Sequence, residues 1–435
     1  MVESVVIIVL ILAILGFLAS GVWVGLALSG AAWLVMELFS PRAAGSAMAI
    51  SIWGASSSWT LTALPLFLWM GEILFRTRLS SDLFKGLAPW LDAVPGRLLH
   101  TNIVGCAIFA AVSGSSAATC ATIGKMTIPE LRQRGYPDSL ILGTLAGAGT
   151  LGLLIPPSII MIVYAVSANV SMAKLFMAGV FPGILLAVLF MGYIFIWGLR
   201  HPELNKANED QRLSFAQKVY ASRSLIPVIL LIAAVLGSIY TGVATATEAA
   251  AVGVVGALVI AVLQGDMSLR VFIDSLMGAT RTFCMIALIL AGAQFLTLAM
   301  GYIGLPNALA QWIGTLGLSQ FGLIIVLMIF FIIMGCFLDG ISLVVLTMGV
   351  LLPTVQAANI DLIWFGVFLI FVIEMAQITP PVGFNLFVLA GMSKKELSYI
   401  ARVSVPMFIL MVIAVFIIYA FPDIVMWLPM TASDI

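Results

Sequence analysis

The chain carries two copies of one pattern of helix-breaking residues inside long apolar stretches. Each copy begins with a short polar break that contains glycine, Ser113-Gly114-Ser115-Ser116 in the first and Asp339-Gly340-Ile341-Ser342 in the second. Three prolines follow each break, and the matching prolines stand 224 positions apart: Pro129 and Pro353, Pro156 and Pro380, Pro182 and Pro406. Paired, interrupted apolar segments in two halves of a chain are typical of secondary transporters, which place substrate and ion sites there.

The composition assigns this chain to the lipid bilayer. It is 63% apolar and 9% charged, whereas a soluble domain carries about 25% charged residues. Stretches of about 20 apolar residues recur along its length, and each can span a bilayer. They lack the alternation of β-barrel strands. We predict an all-α polytopic membrane protein with about 10–12 transmembrane helices. The 19 basic and 19 acidic residues cancel, so nothing indicates nucleic acid.

One long hydrophilic stretch, residues 199–224, divides the chain into two halves, and its basic excess predicts a cytoplasmic linker. We assign residues 1–198 to a first repeat half and residues 225–435 to a second. Inverted repeats are expected, but duplication alone also allows parallel ones. The first apolar run is too long for one upright helix, and Gly21 and Gly25 offer places to bend.

The polar breaks and the double prolines both expose oxygen ligands. Hydroxyls and unpaired carbonyls are hard donors that suit a small hard cation. A helix that restarts after a break turns its positive N-terminus toward an anionic substrate. Pro156-Pro157 and Pro380-Pro381 each remove two consecutive backbone donors within an apolar run. Close helix packing explains the first break equally well on its own, but the repetition of both features favours ion and substrate sites.

Acidic residues inside the apolar segments are few, and each is a candidate functional group. Asp339 lies in the second break and is the preferred charged ligand. Glu374 comes shortly before the second double proline, so it is a candidate to act with that site. Helix capping accounts for Glu248. An ion pair with Arg76, one helical turn away, accounts for Glu72.

These motifs, in this order and at these spacings, resemble those of the large membrane subunit of tripartite ATP-independent periplasmic (TRAP) transporters. The resemblance covers nearly the whole chain. In the first half it rests on Leu64-Pro65-Leu66-Phe67, Gly71-Glu72, the first break with Ala118-Thr119, Arg134-Gly135-Tyr136-Pro137 and Ile155-Pro156-Pro157-Ser158. In the second half it rests on Thr247-Glu248-Ala249-Ala250-Ala251, Phe337-Leu338-Asp339-Gly340, Thr379-Pro380-Pro381-Val382-Gly383 and Asn385-Leu386. Ala117 and Ala246 depart from the family pattern, because proline is frequent at both positions.

The resemblance implies a sodium-coupled importer of a small organic acid in the bacterial inner membrane, with no organic cofactor. A periplasmic substrate-binding protein would deliver the substrate, and a small four-helix membrane subunit would flank this chain. The fold would be of the elevator type, in which a transport domain with two re-entrant helical hairpins moves against a fixed scaffold. In each half, scaffold helices would come first, and a hairpin-bearing transport part would start at about residue 90 and about residue 305.

The motifs also assign site residues. Carried over by motif, the sodium ligands would be Ser113, Gly114, Ser116 and Pro156 in the first half and Asp339, Gly340, Thr379 and Pro380 in the second. The substrate contacts would be Ser115, Ser116, Ser158, Asp339, Ser342 and Asn385.

Three other functions are weighed against this one. A stand-alone sodium-coupled anion symporter with a similar fold and no binding protein fits the same physical pattern. An intramembrane enzyme is disfavoured because no His, Cys or Ser constellation stands at catalytic spacing. A channel is disfavoured because breaks near the midplane fit enclosed binding sites better than a continuous pore.

Overall fold

The computed structural model describes residues 2–201 and 214–431, and within these ranges the chain forms 21 α-helices with loops and short 3-10 turns between them, without a strand. The predicted all-α polytopic class is therefore confirmed. Residues 202–213 of the predicted linker lie outside the described residues. The described part that follows begins with a short helix, which Ser214 and Gln217 cap reciprocally.

The helices of the first half end at the linker. Their bounds are α1 Val2–Ala19, α2 Val24–Phe39, α3 Ala44–Ser56, α4 Ala63–Phe75, α5 Leu79–Leu91, α6 His100–Ser113, α7 Ser116–Gln133, α8 Asp138–Leu154, α9 Ile159–Ala168 and α10 Met172–Arg200.

The helices of the second half follow the linker. Their bounds are α11 Phe215–Ser222, α12 Ile226–Tyr240, α13 Ala246–Leu263, α14 Leu269–Ile303, α15 Leu305–Thr315, α16 Gln320–Gly335, α17 Gly340–Ala357, α18 Leu362–Gln377, α19 Phe384–Ser393, α20 Leu397–Ala420 and α21 Asp423–Thr431.

Several of these helices can cross a bilayer. Among the described residues, six helical stretches are long and apolar enough to span: α10, α11 continued by α12, α13, α14, α17 and α20. Two bent pairs raise the number to eight, α3 with α4 at 53° and α8 with α9 at 42°. Further apolar helices, including α16, α18 and α19, are shorter than 18 residues. Intact spans and broken, shorter ones therefore coexist, as the duplicated breaks predicted.

The duplication is visible in the helix boundaries. Helices α7 and α17 begin at Ser116 and Gly340, and α8 and α18 begin at Asp138 and Leu362, so each pair is offset by 224 positions. Pro182 lies inside α10 and its counterpart lies inside α20. The succession α6 to α10 in the first half therefore matches α16 to α20 in the second. The division into scaffold and transport parts at about residues 90 and 305 stays a prediction.

The first apolar run bends at only one of its two predicted glycines. Gly21 has a φ of +80° and separates α1 from α2. Gly25 lies inside α2, where a Cβ atom would come within 2.5 Å of the carbonyl oxygen of Leu288 in α14. At Gly292, also in α14, a Cβ would overlap the Gly25 carbonyl oxygen. The bend predicted at Gly25 is wrong, because this glycine allows two backbones to approach closely.

A group of charged residues links the two halves at the ends of their helices. Asp138, at the start of α8, accepts a hydrogen bond of 2.7 Å from Nε of Arg132 and one of 3.2 Å from Nη2. Lys395, in the loop before α20, lies 3.3 Å from the same carboxylate. Arg132 also donates to the carbonyl oxygen of Ser393 at 3.4 Å. These contacts hold the ends of α7 and α8 beside the end of α19.

Two acidic residues have the structural roles predicted for them. Glu72 forms an ion pair with Arg76 at 3.0 Å. Glu248 forms a capping box with Thr245 at the start of α13, in which each residue accepts a backbone hydrogen bond from the other.

Candidate functional site

The first break is a compact turn between α6 and α7. Gly114 has a φ of +60°, and a Cβ atom there would lie 2.8 Å from the carbonyl oxygen of Pro157. Both facts require glycine, since other residues disfavour this conformation and no real Cβ approaches an oxygen so closely. Ser113 shares a hydrogen bond of 2.7 Å with Thr119. Ser115 caps the N-terminus of α7 by accepting from the amide of Ala118.

The second break has the same helix start with a charged cap. Asp339 accepts hydrogen bonds from the backbone amides of Ile341 and Ser342 at 3.1 and 3.2 Å, and Ser342 donates its hydroxyl to the other carboxylate oxygen at 2.5 Å. Asp339 and Ser115 are 224 positions apart and both cap the helix after the break. The two copies therefore share geometry and differ in charge.

Both breaks contact the first residues of α9. The amide of Ile159 donates to the carbonyl oxygen of Gly114 at 3.2 Å. A Cβ on Gly340 would lie 2.6 Å from Cδ1 of Ile160. Ser158, which precedes both isoleucines, is fully buried and caps α9. The structure thus brings Ser113, Gly114, Ser115 and Ser116 near Ser158, and brings the second break to the same helix end.

The two double prolines occupy equivalent places. Pro156-Pro157 separates α8 from α9, Pro380-Pro381 separates α18 from α19, and both Pro-Pro peptide bonds are cis. Because prolines carry no amide proton, the carbonyls four residues before them lose their helical donors. Thr379 donates its hydroxyl to the carbonyl oxygen of Met375 at 2.7 Å. At Gly383, a Cβ would lie within 2.9 Å of the carbonyl oxygens of Gln377 and Thr379.

Asn385 connects the two halves. Its side chain is fully buried, and its amide donates to the carbonyl oxygen of Ala146 in α8 at 3.3 Å. Its carbonyl oxygen has no partner among the described residues. The predicted substrate residue is thus held against the first half, with one acceptor free.

Gln377 is a polar residue that the sequence reasoning missed. It lies on the last turn of α18, and its Nε2 would be 3.8 Å from a Cβ on Gly340. Its carbonyl oxygen is buried without a partner in the described part of the chain. Gln377 therefore stands between the second break and the loop of Thr379 and Pro380. Its position one helical turn after Glu374 was the available signal.

One cavity lies away from the breaks. It has a volume of about 400 Å³ and is lined by residues that include Asp361, Trp364 and Tyr419, at the opposite end of α18 from the proline loop. Residues 2–201 and 214–431 contain no group of three or more His, Cys, Asp or Glu side chains placed to hold a metal ion. The ligands that the breaks can offer to a cation are therefore hydroxyl and carbonyl oxygens, together with the carboxylate of Asp339 in the second break.

The whole fold has a known counterpart. It is similar to the Alcanivorax borkumensis YdaH transporter, whose crystal structure was described as having an unusual topology. The TM-score is 0.61 over 86% of this chain and 88% of that one, at 14% sequence identity. A likeness at this identity shows a shared fold and no more.

The family follows from a profile that describes the DctM component of tripartite ATP-independent periplasmic transporters and matches residues 10–424. This chain belongs to the DctM family. The match includes both breaks and both double prolines, so the resemblance inferred from the motifs is confirmed. The protein is a large permease subunit of a TRAP transporter, a multi-pass membrane protein.

Relatives of this DctM-family protein differ in the substrates that their names give. It is 33% identical to the C4-dicarboxylate TRAP transporter large permease protein DctM of Pseudomonas aeruginosa, over 93% of both chains. It is 32% identical to the ectoine/5-hydroxyectoine large permease UehC of Ruegeria pomeroyi, over 85% of this chain and 86% of that one. It is 28% identical to the sialic acid large permease SiaM of Vibrio cholerae, over 95% and 96%.

Proposed function

We propose that this large permease couples the import of a small organic acid to the entry of sodium across the bacterial inner membrane. The observation that carries the proposal is the meeting of the two breaks at the start of α9, where Ile159 bonds to Gly114 and Ile160 contacts Gly340. A cation bound at either break can therefore alter the position of one helix end that both breaks share. The names of the relatives, which include C4-dicarboxylates and sialic acid, support an organic acid as the substrate.

Two sodium sites follow from the oxygen ligands. The first would use Ser113, Gly114, Ser116 and Pro156, where the α6–α7 turn lies against the first proline loop. The second would use Asp339, Gly340, Thr379 and Pro380. The carboxylate of Asp339 makes the second site the more negative of the two, which favours a cation by direct Coulomb attraction.

The substrate site would lie among the helix N-termini that the breaks create. Four helices, α7, α9, α17 and α19, restart after a break and present positive ends. The proposed contacts are Ser115, Ser116, Ser158, Asp339, Ser342 and Asn385. Asp339 and Ser342 bond to each other, so an anion at Ser342 would lie beside the Asp339 carboxylate. Sodium bound at Asp339 would offset the negative charge that otherwise repels such an anion.

The transport step would need both ligands. Sodium would order the two breaks and complete the substrate pocket, and only the loaded transport part would then move against the scaffold in an elevator motion. Family membership supports two partners, a periplasmic substrate-binding protein and a small four-helix membrane subunit.

Reconstitution tests the proposal. Uptake of a C4-dicarboxylate, sialic acid and ectoine is measured in proteoliposomes that hold this chain with its small subunit, under an imposed sodium gradient. The gradient and the binding protein are omitted in turn. Uptake of an organic acid that requires both is the expected result. Sodium-driven uptake without the binding protein supports a stand-alone symporter, and indifference to sodium contradicts both ion sites.

A matched pair of aspartates separates ion binding from helix capping. Asp339→Asn is compared with Asp361→Asn, because Asp361 caps α18 through the same backbone positions, the amides of Ile363 and Trp364. Asn caps helices about as well as Asp, so both variants largely keep the cap while they lose the charge. We expect Asp339→Asn alone to abolish sodium-dependent uptake in protein that still reaches the membrane. Retained uptake in Asp339→Asn removes this residue from the mechanism.

A further inference from the structure

Glu374 is a carboxylic acid in a wholly apolar part of the fold. It lies in α18, where every residue from Trp364 to Ala376 is buried, and its own side chain has no solvent-exposed surface. Neither carboxylate oxygen has a hydrogen-bond partner among the described residues. Isolated ionised carboxylates are rarely kept in such surroundings, because the charge loses its hydration and gains nothing in return.

The surroundings of Glu374 oppose a negative charge. The backbone of Leu154 lies beside the carboxyl group without meeting hydrogen-bond geometry, at the C-terminal end of α8. This end carries the negative pole of the helix dipole, and the prolines that follow leave carbonyls without donors. The second break also packs against α18 next to Glu374 in the chain, since Gly340 contacts Ile373. The end of α8 therefore disfavours an anion at Glu374, although the backbone of Leu154 itself acts in the opposite sense.

The helices packed against α18 supply no compensating cation to Glu374. These helices are α8, α9, α10, α16, α17, α19, α20 and α21. The charged or titratable groups on them or at their described ends are Asp138, Tyr164, Lys174, Tyr193, Arg200, His201, Cys336, Asp339, Lys394, Lys395, Glu396, Tyr399, Arg402, Tyr419 and Asp423. None of these groups bonds to Glu374. Lys174 is next to Leu175, which contacts Gly366 in α18. Gly366 and Glu374 are eight positions apart, which is about 12 Å along the helix, so Lys174 lies at a distant part of α18.

A proton fits this position better than a metal ion. Sodium needs several oxygen ligands, but in the part of the chain that the structure describes Glu374 belongs to no group of three or more acidic, histidine or cysteine side chains, and no polar group bonds to it. A proton needs only the carboxylate itself. The equivalent position in the first half, 224 residues earlier, is Thr150, which is also fully buried and donates its hydroxyl to the carbonyl oxygen of Gly147. The duplicated fold thus holds an uncharged polar side chain at this place in its other copy.

We propose that Glu374 is a proton-binding site of the transporter, occupied at neutral pH, and that release of its proton to water stops uptake. Release would leave a carboxylate between the C-terminal end of α8 and the second break. The repulsion would move α18 away from α8. The two proline loops, which follow these helices and support the breaks, would then also move apart. The predicted effect on uptake rests on the proposed sodium-driven import. The prediction that Glu374 carries a proton is independent of that proposal.

Infrared difference spectroscopy reads the proton directly. Wild-type protein is compared at neutral pH with Glu374→Gln, and with Glu130→Gln as a control, because Glu130 forms an ion pair of 2.7 Å with Arg134 near the end of α7. We expect the Glu374→Gln substitution to remove the C=O stretch of a neutral carboxylic acid. The control substitution is expected to remove carboxylate bands only. Loss of carboxylate bands alone in Glu374→Gln overturns the proposal, whatever the transport assays show.

Uptake at varied pH tests whether release of the proton from Glu374 stops uptake. Proteoliposomes have the same pH on both sides and a sodium gradient as the only driving force. Because the proton leaves as pH rises, wild-type uptake should fall on the alkaline side by tenfold or more while Glu374→Gln keeps its rate. Superimposable profiles overturn the link to uptake. If glutamine does not fit the site, Glu374→Thr, which copies the side chain of Thr150, replaces it in both experiments.

Discussion

Substitution of Gly114 by alanine tests whether the first break and the first proline loop form one cation site. The conformation at φ +60° costs an L-residue about 1–2 kcal/mol. The new Cβ would also lie 2.8 Å from the Pro157 carbonyl oxygen, and such overpacking costs about 1–3 kcal/mol more. Gly135→Ala is the matched control, since Gly135 has a φ of +81° and open space where its Cβ would be. The difference between the two variants therefore isolates the contact with Pro157.

The assay is the sodium-dependent rise in thermal stability of the purified subunit. If the wild type binds sodium as proposed, a concentration a hundredfold above Kd stabilises it by about 2.7 kcal/mol. Suppose that the alanine Cβ in Gly114→Ala can move away from the Pro157 carbonyl oxygen in the sodium-free protein but not in the sodium-bound protein. The cost of this contact, about 1–3 kcal/mol, then falls on the bound state alone and weakens sodium binding by about 5- to 150-fold. At the same concentration the stabilisation by sodium then falls to between about 0.3 and 1.8 kcal/mol. Gly135→Ala is expected to keep the full effect. An equal response to sodium in the two variants refutes the argument that this contact belongs to a sodium site.

Two further substitutions test contacts between distant parts of the chain. Gly292→Ala puts a Cβ onto the Gly25 carbonyl oxygen, whereas Gly301→Ala in the same helix meets nothing within 4 Å. We expect Gly292→Ala to lower the melting temperature, at a cost of about 1–3 kcal/mol, and Gly301→Ala to leave it equal or higher because alanine favours helix. Equal melting temperatures of the two variants contradict the close packing. Asn385→Ala removes the hydrogen bond to Ala146, so we expect it to lower stability by about 1–3 kcal/mol in thermal unfolding. Unfolding is also measured with substrate present. A substrate-induced shift in melting temperature equal to that of the wild type excludes Asn385 as a substrate contact.

The parts of the fold that depend on local chemistry were predictable from the sequence. Residues that break or cap helices act within a few positions of themselves, so Ser115, Asp339 and the double prolines marked helix boundaries that the structure contains. The same locality explains the correct assignment of Glu248 to a capping box. Repetition at a constant offset strengthened each of these predictions.

Contacts between distant residues were not predictable in the same way. Gly25 has the same sequence signature as a bending glycine, and only the approach of Leu288 in α14 reveals its packing role. The meeting of Gly340 with Ile160 joins residues 180 positions apart. Gln377 gave too weak a signal, because a single glutamine at the end of an apolar helix is ordinary for an interface. A single sequence records which residues are special and leaves open which ones meet.

The close crossing of α2 and α14 at Gly25 and Gly292 has a consequence for how the protein loses its structure. Lipid tails are as apolar as the side chains they would replace, so this crossing gains little from the exclusion of water and depends on the fit of two backbones. Urea acts chiefly by solvating groups that become exposed to water. We therefore expect urea to act first on the charged contacts of Arg132, Asp138 and Lys395 at the helix ends, and the crossing to be among the last features to separate.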